Sequence, residues 1–242
     1  MYNNSAMTRT TLLFLAAAAC GFAAAPESFP TSAGTLEITP IQHASLVIQA
    51  GGKVLYVDPA MGSYNGLPQA DYILITDIHQ DHLEPDIVNK LKKPGTIIVA
   101  PKAVAAQLSG VKVLANGEKT TVGPFAVEAI PMYNMKRGPS PGQLYHDKGR
   151  GDGYIVTYGG KRFYFSGDTE AIPEMKALKN IDVAFVCMNL PYTMTPQEAA
   201  EAVRAFHPAI VYPYHYMGSD TKEFAKALEG TGIDVRLRNW YQ

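Results

Sequence analysis

Cysteine is nearly absent: Cys20 and Cys187 are the only two in 242 residues, beside a single tryptophan. Cys20 sits in an N-terminal apolar stretch that reads as removable, which leaves Cys187 alone in the mature chain. A disulfide-stapled scaffold is therefore excluded, and stability must come from a packed core. Charge is also scarce. Acidic and basic residues make up 18% of the chain and the formal net charge is −1, so there is no basic footprint for nucleic acid. No linker, low-complexity tract or charge block divides the chain. The hydrophobic content of 47% supports a sizeable core in one large domain or two small ones.

Residues 1–25 read as a secretory signal segment. Arg9 precedes the apolar run Thr11 to Ala19, and Gly21-Phe22-Ala23-Ala24-Ala25 supplies the small-residue end before Pro26. The run is too short to span a membrane. The mature chain is therefore expected to be exported, to the periplasm or beyond, without a transmembrane anchor. Cys20, after three alanines, is the alternative: a lipid-attachment cysteine. No twin-arginine pair occurs, so export of an unfolded chain is expected. Cys187 lies within the apolar run Val183 to Met188 and reads as a small buried side chain.

Residues 26–242 read as one continuous unit. Strand-like runs occur at Leu46–Ile48, Val54–Val57, Tyr72–Ile75 and Thr96–Ala100, then at Val183–Met188, Ile210–Tyr212 and Val235–Leu237. Tyr154–Tyr158 and Arg162–Phe165 flank Gly159-Gly160 as a hairpin. Pro85 opens a helix. Thr195-Pro196-Gln197-Glu198 is a capping box with proline at the first helical position, and Thr221 to Leu228 forms a further helix. Strands dominate both halves with helices between them, which points to an α/β layered sandwich of two packed sheets with helices outside. Met132 to Asp152 has no apolar period and carries His146; a structureless loop of that length is usually functional or disordered.

The chemistry is concentrated after the third of these runs, Tyr72–Ile75. Asp77, His79, Asp81 and His82 lie within six positions. His146, Asp168 in Ser166-Gly167-Asp168-Thr169, and His215 in Tyr214-His215-Tyr216 supply matching groups at long range. Imidazoles and carboxylates converging from loops after strands suit a catalytic metal centre. Taken singly, each has an ordinary explanation as a helix cap, a surface group or a satisfied core group. Taken together, the seven would hold two ions about 3.5–4 Å apart that share a water. An extended turn would put Asp77 and His79 on one side and Asp81 and His82 on the other. His207, at a helix end before Pro208, reads as a dipole partner or a solvated residue. His43 reads as structural or as a support for the site.

This set resembles the metallo-β-lactamase fold superfamily, whose signature His-x-His-x-Asp-His is followed by a distant His, an Asp and a final His. Gln42-His43-Ala44-Ser45, Pro131-Met132-Tyr133-Asn134, Tyr192-Thr193-Met194-Thr195 and Pro213-Tyr214-His215-Tyr216 look more narrowly like the branch that includes ascorbate-6-phosphate lactonase-like enzymes. The likeness runs from about Ile41 to Trp240. It implies a four-layer αββα sandwich and a metal-dependent hydrolase domain over residues 26–242. A metal-bridging hydroxide would attack a small ester, lactone, amide or phosphoester, with Asp81 orienting the water or taking a proton. It further implies that Asp77, His79 and His146 serve one ion, that Asp81, His82 and His215 serve the other, and that Asp168 is shared. Zinc is favoured, with manganese or iron as alternatives.

The departure from the signature is Asp77, which stands where the family has its first histidine. It adds a third carboxylate to the set and leaves a second reading open: a non-catalytic metal- or ligand-binding protein of the same fold. A third reading, an oxidoreductase-type member with two irons, finds no supporting motif. Tyr133, Asn134, Tyr145, Tyr192 and Tyr214 are the expected pocket wall. Lys148 and Arg150 are either solvated loop charges or attractors for an anionic substrate.

Overall fold

Four antiparallel strands followed by parallel crossovers occur twice in the chain, and this repeat builds the fold. The computed structural model describes residues 26–241, so the signal segment and Cys20 lie outside the described residues. In the first half, β1 (Glu27–Thr31), β2 (Gly34–Gln42), β3 (Ser45–Ala50) and β4 (Lys53–Val57) form a meander. β5 (Ala70–Leu74), β6 (Lys92–Ala100) and β7 (Val111–Val113) then add in parallel. The second half repeats the plan. β8 (Lys119–Val122), β9 (Phe125–Met132), β10 (Gly151–Tyr158) and β11 (Lys161–Phe165) are antiparallel. β12 (Val183–Cys187), β13 (Ile210–Tyr214) and β14 (Asp234–Val235) are parallel. Each sheet has seven strands in sequential order.

Parallel neighbours need crossovers, and these carry the helices. α1 (Pro85–Leu91) and α2 (Lys102–Ala105) belong to the first half; α3 (Pro173–Lys176), α4 (Pro196–Phe206) and α5 (Thr221–Ala227) belong to the second. The period of two along each strand shows how the layers stack. Leu46, Ile48, Leu55, Val57 and Leu74 pack toward the second sheet, in one cluster with Phe125, Val127, Ile155 and Phe165. Their neighbours Val47, Tyr56 and Ile73 pack the other way, with Val88 and Leu91 of α1 and Val104 of α2. The second sheet is backed by Ala199, Ala202, Val203 and Phe206 of α4 and Phe224 of α5. The result is the expected αββα sandwich. No helix among the described residues is long and apolar enough to cross a membrane.

Local signals fixed several elements where the sequence placed them. α4 begins with the full capping box: Thr195 accepts from the Glu198 N–H, and Glu198 accepts from the Thr195 N–H at 2.9 Å. Such a cap is worth about 1 kcal/mol. The Gly159-Gly160 hairpin pairs Tyr158 with Lys161. The strands β1, β2 and β7–β9 are additions. Prolines at 40 and 131 interrupt β2 and β9, β2 carries a bulge at Pro40/Gln42, and β8 is largely polar, so none has a clean strand signature.

The loop 133–150 has no regular structure but is tied down along its length. The Asn134 N–H donates to the His146 carbonyl at 2.8 Å, and the Tyr145 N–H donates to the Arg137 carbonyl at 3.1 Å. The buried carboxylate of Glu170 accepts from the backbone of Met135 and Arg137 and from the Asn134 amide.

Candidate metal centre

Every candidate ligand except His146 follows the carboxyl end of a parallel-sheet strand. Asp77, His79, Asp81 and His82 follow β5, Asp168 follows β11, and His215 follows β13. In α/β sheets this edge is where sites form, because side chains from successive loops converge there. His146 arrives from the long loop. At Gly167 (φ +58°), an added Cβ would lie 2.4 Å from the Met132 sulfur, so only glycine lets the backbone present Asp168 there.

The seven residues fall into two clusters. Asp81, His82, Asp168 and His215 form one and Asp77, His79 and His146 the other, with ligand atoms in each within 4.8 Å of one another. The split after β5 matches the expectation: Asp77 and His79 face one way, Asp81 and His82 the other. Asp168 touches both groups. Its Oδ2 lies 3.1 Å from His146 Nε2 and 3.4 Å from His82 Nε2, and its Oδ1 lies 3.3 Å from His215 Nε2.

Residues behind the clusters aim the imidazoles. His82 Nδ1 is 2.8 Å from Asp58 Oδ2, and Asp58 also accepts from the Thr76 N–H and hydroxyl, both at 2.7 Å. This fixes His82 with its Nε2 toward Asp168. His146 Nδ1 lies 2.5 Å from Asn134 Oδ1, and the Asn134 amide nitrogen donates to Glu170 and to the Tyr192 carbonyl. His146 is thus firmly held despite its loop position. Asn134 was expected in the pocket wall; instead it stands behind His146.

Asp77 is fully buried, and Arg150 grips both its oxygens, Nε to Oδ1 at 3.1 Å and Nη2 to Oδ2 at 2.9 Å. His79 Nδ1 lies 2.8 Å from Oδ2. Burial alone would raise the Asp77 pKa; the His79 bond and the positive charges of His79, His82 and Arg150 hold it down to about 2. The third carboxylate therefore does not add an unbalanced negative charge, because a guanidinium accompanies it. Arg150 is neither a free loop charge nor available to a substrate.

His43 reaches the site from β2's turn. Its Nε2 lies 3.2 Å from Asp81 Oδ2, its ring lies against that of His215, tilted by 37° with centroids 3.7 Å apart, and its Nδ1 lies 2.5 Å from the Tyr241 hydroxyl. The Asp81 carboxylate can only accept, so Nε2 carries the ring proton and Nδ1 accepts from the Tyr241 hydroxyl, which itself accepts from the Met217 N–H at 2.8 Å. His43 is then the Nε2–H tautomer and donates to Asp81. Burial pushes the Asp81 carboxyl up, but the His215 and His43 hydrogen bonds outweigh it and hold the group well below the usual range.

The centre opens into a cavity of about 420 Å³ bounded on the ligand side by His43, His79, Asp81, His146 and Asp168. Tyr145 and Tyr192 line it as expected, with Met61, Asn189 and Met217. Two expected wall residues are elsewhere: the Tyr133 hydroxyl donates to Glu174 and the Tyr214 hydroxyl accepts from the Gly167 N–H. Lys148 is paired with Glu174 at 2.8 Å. Cys187 is buried in β12 and burial pushes its thiol up to about 11, so it is inert. His207 caps α4 from outside, in the left-handed conformation (φ +45°), with Nε2 3.0 Å from the Thr231 carbonyl.

What remains unpaired shows that a metal suits this set. His82 Nε2 and Asp168 Oδ1 are buried without a hydrogen-bond partner, and both belong to the cluster around Asp168. Such atoms are costly unless something coordinates them. Residues 37–215 match the family described as the β-lactamase superfamily domain. The chain belongs to the β-lactamase superfamily. A UPF0173 metal-dependent hydrolase of Symbiobacterium thermophilum is 30% identical over 220 residues, covering 81% of this chain and 93% of the relative. A crystal structure described as a metal-dependent hydrolase from Parabacteroides distasonis shares 43% identity and a TM-score of 0.85, covering 90% of this chain and 99% of that one. The metallo hydrolase Igni18 of Ignicoccus hospitalis has the same fold, with a TM-score of 0.70 at 21% identity, covering 86% of this chain and 96% of that one. This superfamily member is accordingly a metal-dependent hydrolase, with clusters of His and Asp that could bind metal ions.

Proposed function

We propose that the chain hydrolyses a small ester, lactone, amide or phosphoester with two divalent ions. Asp77, His79 and His146 would hold one, Asp81, His82 and His215 the other, and Asp168 both. The observation that carries this is Asp168, a buried carboxylate whose two oxygens face histidines of both clusters. Bound ions would lower the pKa of water and polarise the bond to be cleaved. The chain's own residues supply the rest. His43, braced by Tyr241, donates to Asp81 Oδ2 and holds the carboxylate in one orientation. Asp81 lies on the cavity wall, where it orients a water or accepts its proton. Asn134 and Asp58 hold the His146 and His82 rings against rotation.

Zinc is the favoured ion, because imidazole nitrogens outnumber carboxylates and export places metal acquisition outside the cytoplasm; the carboxylates keep manganese and iron as alternatives. The signal-like N-terminus supports an exported, periplasmic or secreted enzyme. The narrower resemblance to ascorbate-6-phosphate lactonase-like enzymes keeps lactones among the substrates. The test is metal stoichiometry by mass spectrometry after reconstitution with zinc, manganese and iron in turn, followed by turnover on an ester, lactone, amide and phosphoester panel. Two ions per chain with turnover are expected. One ion and no turnover would favour a binding protein of the same fold.

A further inference from the structure

Among the described residues, no lysine or arginine lines the cavity. Beyond the candidate ligands and His43, its side chains are Met61, Tyr145, Tyr192, Met217 and Asn189, with the Asn189 amide and two phenol hydroxyls as the polar groups. The nearby basic residues are all engaged: Arg150 with Asp77, Lys148 with Glu174, and Arg137 and Lys136 with Glu198. Beyond the ions that the clusters would hold, a phosphate or free carboxylate on the substrate would meet no guanidinium or ammonium on the cavity wall.

The wall is apolar and open to solvent. Met217 is 52% exposed and Tyr192 44%, with Leu190 close by in sequence at 44%. Large apolar side chains gathered at the rim of a cavity mark a surface that binding covers. Tyr145 and Tyr192 meet edge to face at 5.0 Å, giving a rigid aromatic side, and the two methionines give an adaptable one.

From this charge and shape we infer that the site takes an uncharged acyl compound, a carboxylic ester, lactone or amide, whose apolar chain or ring lies between the two tyrosines and the two methionines. The inference rests on the hydrolase reading and narrows it, setting phosphoesters aside. In the reaction, water oxygen bonds to the acyl carbon and the bond from that carbon to oxygen or nitrogen breaks. The alcohol or amine takes a proton from the water and the acyl group becomes the carboxylic acid; from a lactone the two remain joined as one hydroxy acid.

The test is calorimetric binding of acetohydroxamate, octanohydroxamate and phenylphosphonate to the zinc-loaded full chain, beside kcat/KM for p-nitrophenyl acetate, hexanoate and phosphate. Octanohydroxamate is expected to bind at least about tenfold tighter than acetohydroxamate, since each buried methylene contributes about 0.8 kcal/mol. Tyr192→Ser with Met217→Ser should cut that preference to below about threefold. Hexanoate should be turned over faster than acetate, and phosphate not at all. Equal affinity for the two hydroxamates, or a preference for the phosphonate or the phosphate ester, overturns the inference. A chain-length preference without turnover of any ester would support the pocket assignment and remove the hydrolase reading instead.

Discussion

His79 and His82 sit three residues apart on one loop, yet they enter very different surroundings. His82 is fully buried, backed by Asp58 and Thr76, and packed against His215 at 5.0 Å between ring centroids. The His79 side chain is 44% exposed, and its hydrogen-bond partner Asp77 is already gripped by Arg150. The half of the centre around His82 has its unpaired atoms buried and the His82 ring fixed from behind by Asp58. The half around His79 carries its own positive charge where an ion would sit nearby. Preorganised donors favour an ion, whereas an adjacent guanidinium opposes one. The halves should therefore differ in affinity, with the His82 half filling first and emptying last.

The largest expected effect comes from removing the residue common to both halves. Asp168→Ala should bring metal content below one ion per chain and cut turnover at least about 10³-fold, on the scale of the several kcal/mol a metal contributes. His146→Ala should instead leave about one ion, held by the His82 half. Both can be read by mass spectrometry and circular dichroism, with His207→Ala as a near-silent comparison. If Asp168→Ala and His146→Ala lose the same number of ions, the division into two halves is wrong.

A sharper test addresses the charge difference. Removing one member of a buried ion pair typically costs about 3–5 kcal/mol, because the other charge is left unpaired. Arg150 is partly exposed, so Arg150→Gln should destabilise the metal-free protein by somewhat less, about 2–3 kcal/mol. A divalent ion beside Asp77 can replace the lost charge, so the loaded variant should lose less than about 1 kcal/mol. Urea unfolding with and without a chelator measures both. Equal losses in the two states would mean that no ion comes near Asp77.

These halves also mark where the sequence was readable. The layered fold followed from strand periods, the Gly159-Gly160 hairpin and the Thr195 capping box, all of which are local. The seven candidate ligands were visible because imidazoles and carboxylates cluster unusually after β5 and recur after later strands. The groups behind them were not visible. Asp58 is one carboxylate at a strand end, and nothing in Val57-Asp58-Pro59 signals that His82 is its partner. Arg150 and Asp77 are 73 positions apart and meet only because the loop 133–150 folds back over β5. Tyr241 reaches His43 across 198 positions through the C-terminal segment. Long-range pairs of common residue types carry no spacing signature. Strands β2 and β9 were hidden by prolines that a bulge or an edge of the pairing accommodates.

The smallest expected effect concerns what lies behind each half. Asp58, behind His82, has both oxygens bonded. Asp152 lies next to the strand end that leads into Asp77: it is buried, its N–H donates to the Thr76 carbonyl at 2.9 Å, and its Oδ1 accepts from the Asn116 amide. Its Oδ2 has no partner. Burial pushes its pKa up to about 7, and Glu118 adds to the rise. An unfolded aspartate titrates near about 3.9. Between about pH 4 and 7, therefore, the folded chain holds a proton that the unfolded chain has released, and the contribution of this residue to stability falls as pH rises through that window. Above about pH 7 both states are ionised and the loss is complete. Asp152→Asn keeps the acceptor for Asn116 but cannot ionise. Its stability relative to the parent should rise from about pH 4 to 7 and level off at a gain of about 1–2 kcal/mol. Urea unfolding of the metal-free proteins at four pH values across the window measures the difference and cancels titrations common to both. Parallel curves would show that Asp152 is ionised throughout, and the half around His79 would then rest on as firm a base as the half around His82.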